Sequence, residues 1–229
     1  MQLRISNRRP TLSGSALLVL TILLTACSPL LPPPETGDPR PTPVREVRPL
    51  NGHELVIART EDEIERQRGQ WLQGAGTTLA PDSVGYFMDV QTARLRQELA
   101  GTGVAVERKG NTTTITFPGN TSFETNSAHL DPAMEPVLGT IVRVLNEYRQ
   151  SLIVVTGHTD SLGDRGHNQR LSEERALAVG QQLLAAGIPP GRMVLIGYGP
   201  DRPVTEVDAP AGRALNRRVE LIVHPLVEP

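Results

Sequence analysis

Residues 28–49 hold eight prolines in 22 positions, and this density limits what the chain can fold into more than any other feature. Each proline removes a backbone donor and fixes φ, so the stretch can be neither a helix interior nor an inner strand. It favours extended polyproline II, which at roughly 3.1 Å per residue reaches about 68 Å over this length. The chain therefore divides into a leader before the prolines, a tether, and a remainder that must hold any packed core.

The leader has Arg4, Arg8 and Arg9, then an apolar run from Ala16 to Ala26, then Cys27. A basic head followed by a short apolar run reads as a secretory signal over residues 1–26. The run is shorter than the roughly 20 residues a spanning helix needs. Cys27 is the only cysteine of the chain, so a disulfide framework is excluded. Leu24-Thr25-Ala26-Cys27 resembles the bacterial lipobox. That resemblance implies cleavage before Cys27 and acylation of its thiol, with several acyl chains as a firm anchor in membrane lipid. Ser28, where an aspartate would retain the protein at the inner membrane, implies an outer-membrane destination with the domain facing the periplasm.

Composition removes several function classes. The formal net charge is −2, and the leader's charges are all positive, so the remainder is more acidic still. Nucleic-acid binding, which neutralises phosphates with basic side chains, is not expected. Aromatics at 3% offer few stacking platforms. Too little chain precedes Val104 for a membrane β-barrel. No cofactor motif is present.

Residues 50–103 read as a helical connector packing onto the domain C-terminal to it. Glu61 to Gln73 is helix-prone with Ile64, Arg68 and Trp71 on one face, and Val84 to Leu99 comes next with Met88, Ala93, Leu95 and Leu99 as packing positions. A partner-binding role for this segment is the alternative. From Val104 to about residue 226 strands and helices alternate. Val104 to Phe117 reads as a hairpin about Lys109-Gly110-Asn111. Asp131-Pro132 opens a helix with Val137, Leu138, Ile141, Val142 and Leu145 at spacings of three and four. Leu152 to Val155 is a buried strand, Asn168 to Ala186 a helix, Met193 to Tyr198 and Arg218 to His224 two more strands. The expected class is α+β, with helices packed on one face of a mixed sheet.

Within this region Gly157 to Ala176 reads GHTDSLGDRGHNQRLSEERA, and Gly212 to Val223 reads GRALNRRVELIV, with Gly197-Tyr198-Gly199 between them. These ordered motifs resemble the OmpA-like peptidoglycan-binding domain, which also occurs in peptidoglycan-associated lipoproteins and flagellar stator proteins. The stretches GYFMDVQTARLRQEL and FETNSAHL are similar to its lipoprotein branch, of the YiaD type. The resemblance implies a βαβαβ-β sandwich and a wall-binding function: an outer-membrane lipoprotein holding peptidoglycan through meso-diaminopimelate. The free end of that residue carries an ammonium and a carboxylate on one carbon. The HTD aspartate, here Asp160, is then expected to take the ammonium. The arginine of NxxLSxxRA, here Arg175, is expected to take the carboxylate, a role suited to its planar fork. Asn126, Asn168, Leu171 and Arg217 match positions that line or support the same pocket, with Arg218 structural. Asn168 also reads as a helix cap.

Catalysis is not expected. His158, Asp160 and His167 lack a specific metal-ligand spacing, and Ser161 has no base placed by the pattern. The other functional class is docking within an envelope-spanning machine, with residues 50–100 meeting an envelope protein partner. A channel role is disfavoured, because the leader holds no acidic residue.

Overall fold

The computed structural model describes residues 55–74 and 77–228. The expected signal peptide, Cys27 and the proline tether lie outside the described residues. Among the described residues no helix is long and apolar enough to cross a membrane.

Six strands form one mixed sheet: β1 (Val56–Ile57), β2 (Ala105–Lys109), β3 (Thr112–Pro118), β4 (Ser151–His158), β5 (Met193–Gly197) and β6 (Arg218–Pro225). Their spatial order is β1-β5-β4-β6-β3-β2. The pairs β1–β5 and β5–β4 are parallel, and the rest are antiparallel. β4 is buried at all eight positions, as a central strand bordered on both sides should be. Val154 of β4 sits between Val194 of β5 and Ile222 of β6.

The helices are α1 (Glu61–Gly74), α2 (Val84–Glu98), α3 (Gly119–Ser122), α4 (Met134–Glu147), α5 (Arg165–Ala185) and α6 (Pro210–Asn216). One sheet face presents Ile115, Phe117, Ile153, Val155, Leu195 and Leu221 to Met88 and Leu95 of α2, Ile141 and Leu145 of α4, and Val179 and Leu183 of α5. The α+β class with a mixed sheet is as the sequence implies. The single-faced arrangement needs correction. α1 lies over the opposite face, where Ile64, with Trp71 and Leu72, packs on Leu152, Val154, Val194 and Ile196. The cause is the strands at that end, whose residues are apolar in both alternating sets, so a second layer is needed to cover them.

The connector is also more than a connector. Met88 and Leu95 are fully buried in the main core, so α2 is one of its layers. Ala93, expected to pack, is exposed, because the buried stripe runs through Met88, Gln91, Thr92 and Leu95. α4 starts at Met134, two residues after Pro132, since Asp131 accepts a bond from the Ala133 amide at 2.8 Å and forms a turn first. The other end of α4 is tied to β4 by Arg192. Its buried guanidinium donates to the carbonyls of Leu145, Tyr148 and Ser151, each at 2.8 Å.

α5 lies on β4 and β5 at very close range. A Cβ at Gly157 would stand 2.0 Å from the Ser172 carbonyl oxygen, and one at Gly197 would stand 2.6 Å from the Glu173 nitrogen. Only glycine at these strand ends lets the helix backbone approach so closely. This contact fixes the distance between the end of β4 and the side chains of α5.

Candidate functional site

The carboxyl end of β4 leads directly into Thr159 and Asp160. The Asp160 side chain is 13% exposed. Its Oδ1 accepts from the Leu162 amide at 3.1 Å, and its Oδ2 accepts from Arg217 Nη1 at 2.7 Å. Arg217 stands at the junction of α6 and β6, and its backbone is fixed on both sides. Its amide donates to Arg213 and its carbonyl accepts from Gly119, at 3.0 and 2.8 Å. Two segments 57 residues apart thus form one ion pair at the mouth of the sheet.

α5 begins three residues earlier than its pattern suggests, at Arg165, because Asp164 caps it by accepting from the His167 amide at 2.7 Å. Asn168 is therefore not the cap. It lies inside the first turns, and its Nδ2 donates to the Leu162 carbonyl at 2.7 Å and the Asp160 carbonyl at 3.4 Å. Its role is to tie the Asp160 loop to the helix. Leu171 and Arg175 lie further along the buried side of the same helix.

Arg175 is only 3% exposed. Its Nε donates to the Ser127 carbonyl at 2.9 Å, and its guanidinium lies 5.2 Å from the centre of the Phe123 ring. Nη1 is buried and has no acceptor among the described residues. Burial pulls the guanidinium's pKa below its ordinary value, Arg217 adds to that shift, and Asp160 opposes it. The charges of Arg217 and Asp160 therefore both reach the Arg175 guanidinium. Asn126 is exposed, in a left-handed conformation with φ 53°, and its Oδ1 lies 3.0 Å from His167 Nε2. Arg218 points elsewhere, pairing with Glu220 Oε1 at 2.7 Å.

All six sequence-predicted residues thus gather at one end of the sheet, around β4, β6 and α5. Four contributors escape the sequence reading. Ser127 acts through its carbonyl, which no side-chain pattern reports. Phe123 sits under Arg175 and His167 meets Asn126. Thr159 holds a buried hydroxyl without a partner among the described residues. The first two lie in or beside FETNSAHL, so proximity of that motif was the available signal. The arrangement offers one carboxylate and two guanidiniums, one of them with an unused buried donor. That is chemistry for holding a ligand with both charges, anionic at Arg175 and cationic at Asp160.

Among the described residues no three His, Cys, Asp or Glu side chains come together as a metal site would require. His158 lies on the sheet face covered by α1, whereas His167 is at the mouth of α5. A separate groove of about 400 Å³ runs beside β1 and α1, lined by Arg59, Glu63, Arg66 and Gln67 among others. It contains none of the six predicted residues. Its charges are of both signs and exposed or half-buried, unlike the buried, unpartnered donor of Arg175.

Comparison with known proteins identifies the family. The profile of the OmpA family matches residues 122–217. The chain is 38% identical to the probable lipoprotein YiaD of Escherichia coli, over 71% of this chain and 74% of that protein. It is 32% identical to the peptidoglycan-associated lipoprotein of Mesorhizobium japonicum, over 52% of this chain and 71% of that one. Among solved structures, the cell wall anchor of the T6SS from Pseudomonas aeruginosa superposes with a TM-score of 0.52 at 31% identity, covering 58% of this chain and 99% of that one. The matched span opens at α3 and closes at Arg217, taking in β4, α5 and every site residue between, and with a lipoprotein relative aligned over most of its length the chain belongs to the OmpA family.

Proposed function

We propose that this protein binds peptidoglycan without catalysing a reaction, and that it recognises the free end of meso-diaminopimelate in the stem peptide. Arg175 takes the carboxylate through the donors its protein partners leave unused. Asp160 takes the ammonium, and Arg217 holds the Asp160 carboxylate in place. Asn168 fixes the loop between them, and Leu171 supports the packed side of Arg175. The observation that carries this reading is the buried Nη1 of Arg175 beside the Asp160–Arg217 pair. A buried guanidinium donor without an acceptor is destabilising, and a ligand carboxylate removes that penalty. The names of relatives add support, since one is a peptidoglycan-associated lipoprotein and a structural neighbour is a cell wall anchor.

In this reading Cys27 is acylated and held in the outer membrane, and the proline tether lets the domain reach the wall. The protein then links membrane to peptidoglycan from the periplasmic side. Docking on an envelope partner through residues 50–100 is the weaker reading, because the apolar side of α2 is already used inside the core.

Cosedimentation with insoluble Gram-negative peptidoglycan tests the proposal. The parent chain is expected to pellet. Asp160→Ala and Arg175→Ala each remove a charge-assisted contact of about 1.5–3 kcal/mol, so affinity should fall roughly ten- to a hundredfold. Normal pelleting of both variants would sink the assignment.

A further inference from the structure

His167 uses two donors at the mouth of the site. Its backbone N–H closes the N-cap of α5 on Asp164. Its ring Nε2 lies 3.0 Å from Asn126 Oδ1, and since an amide oxygen only accepts, the ring nitrogen is the donor. Asn126 is the only non-glycine with positive φ among the described residues. Asparagine tolerates that conformation better than most residues, yet it still needs support.

The residue after Asn126 is Ser127, whose carbonyl receives Arg175 Nε at 2.9 Å. The surrounding loop is closed on itself. Ser127 N donates to Glu124 O at 3.2 Å, Glu124 N to His129 O at 3.2 Å, and His129 N to Ser127 Oγ at 2.9 Å. It therefore moves as one piece. Two side-chain hydrogen bonds tie this piece to α5, one from His167 and one from Arg175. The base of the loop is held by the Phe123–Leu130 bridge and by the Asp131 amide on the Ser122 carbonyl at 3.0 Å, so the two bonds to α5 act on its tip, where the Ser127 carbonyl lies.

We infer that His167 is a positioning residue: by clasping Asn126 in its left-handed turn, it fixes the Ser127 carbonyl that orients the Arg175 guanidinium. The clasp commits Nε to the protein and leaves Nη1 for the ligand. This rests on the proposed role of Arg175 as a ligand contact.

Two measurements on the full-length chain test it. The first is binding of a soluble disaccharide-tripeptide muropeptide ending in diaminopimelate. His167→Phe and Asn126→Gly each remove one hydrogen bond and are expected to weaken binding about five- to tenfold. Glycine accepts positive φ freely, so Asn126→Gly breaks the clasp without straining the turn. The double variant should bind like either single one, and His167→Gln, which keeps an N–H donor, should recover most of the loss. The second measurement is hydrogen exchange of the Arg175 Nε–H by NMR in the ligand-free protein. Exchange should quicken in both single variants while core amides stay protected. Unchanged Arg175 exchange, or fully additive losses of binding, overturns the clasp. If the parent itself does not bind the muropeptide, the proposed function fails, and the exchange measurement still decides the clasp.

Discussion

His158 ends β4 two residues before Asp160 and faces the sheet side covered by α1. Its ring stacks on Tyr198 at 5.5 Å, and its Nε2 meets Thr156 Oγ1 at 3.0 Å. Burial, helped by the nearby Arg218 and Arg202 guanidiniums, lowers its pKa to about 3 from an ordinary 6.5. It is therefore neutral in the folded protein at neutral pH. The unfolded chain binds this proton near pH 6.5 and the folded one only near pH 3, so stability is complete above 6.5 and falls as pH drops between the two. The slope from one such group is about 1.4 kcal/mol per pH unit. Denaturant unfolding of the parent and of His158→Gln, compared at pH 7 and pH 4.5, should show a shallower acid loss in the variant. Equal losses would mean that the ring is not held neutral by burial. At this scale the sequence was informative where side-chain type carries the chemistry, as in Asp160, Arg175 and Arg217. It was silent on Ser127, which contributes a carbonyl that any residue has. It misled at Asn168, a good cap by type, because Asp164 four residues earlier takes the cap, and Gly166 between them hid the helical start.

Among the elements, α5 matters most to the site, and two strand-end glycines set its position. Gly157→Ala places a methyl group against the Ser172 carbonyl, where only backbone can yield. The expected cost is about 3 kcal/mol or more, since overpacking here displaces a helix. Arg175 travels with that helix, so peptidoglycan binding should weaken in the same variant even at temperatures where it is folded. A denaturant midpoint equal to that of the parent would refute the close-approach argument. The elements were largely legible, because β4 is a continuous apolar run and α4 repeats its apolar residues at three and four. β1 was not legible, since two residues at the edge of the sheet leave no period to detect. The placement of α1 on the far face was equally hidden. Its helix carries few apolar residues, and only the two-sided apolarity of β4 and β5 gives a reason for cover there.

The whole molecule has a core that begins well before the first clear strand pattern. Met88, Leu95 and Leu99 of the second helical layer are buried against the sheet. Removing a buried Leu or Met side chain costs about 2–5 kcal/mol, and a domain holds only about 5–15 kcal/mol in total. A chain shortened to begin at Val104 is therefore expected to lose cooperative unfolding, seen as a missing calorimetric transition and loss of near-ultraviolet dichroism. A sharp transition close to the parent's would return α2 to the status of a connector. The alternation of strands and helices draws the domain at residues 104–226, whereas the apolar stripe that completes the core lies earlier, on α2, where only the stretch GYFMDVQTARLRQEL, similar to the lipoprotein branch, signals that the domain has begun.

β6 is the last strand in chain order, yet it stands third from the β2 edge, between β4 and β3. During folding the middle of the sheet therefore stays open until the final strand in chain order has docked. β4 has no partner on that side, and Asp160 has no Arg217, until the segment from Arg217 onward is in place. A polypeptide cut short by a premature stop would lack both the central strand and half of the ion pair.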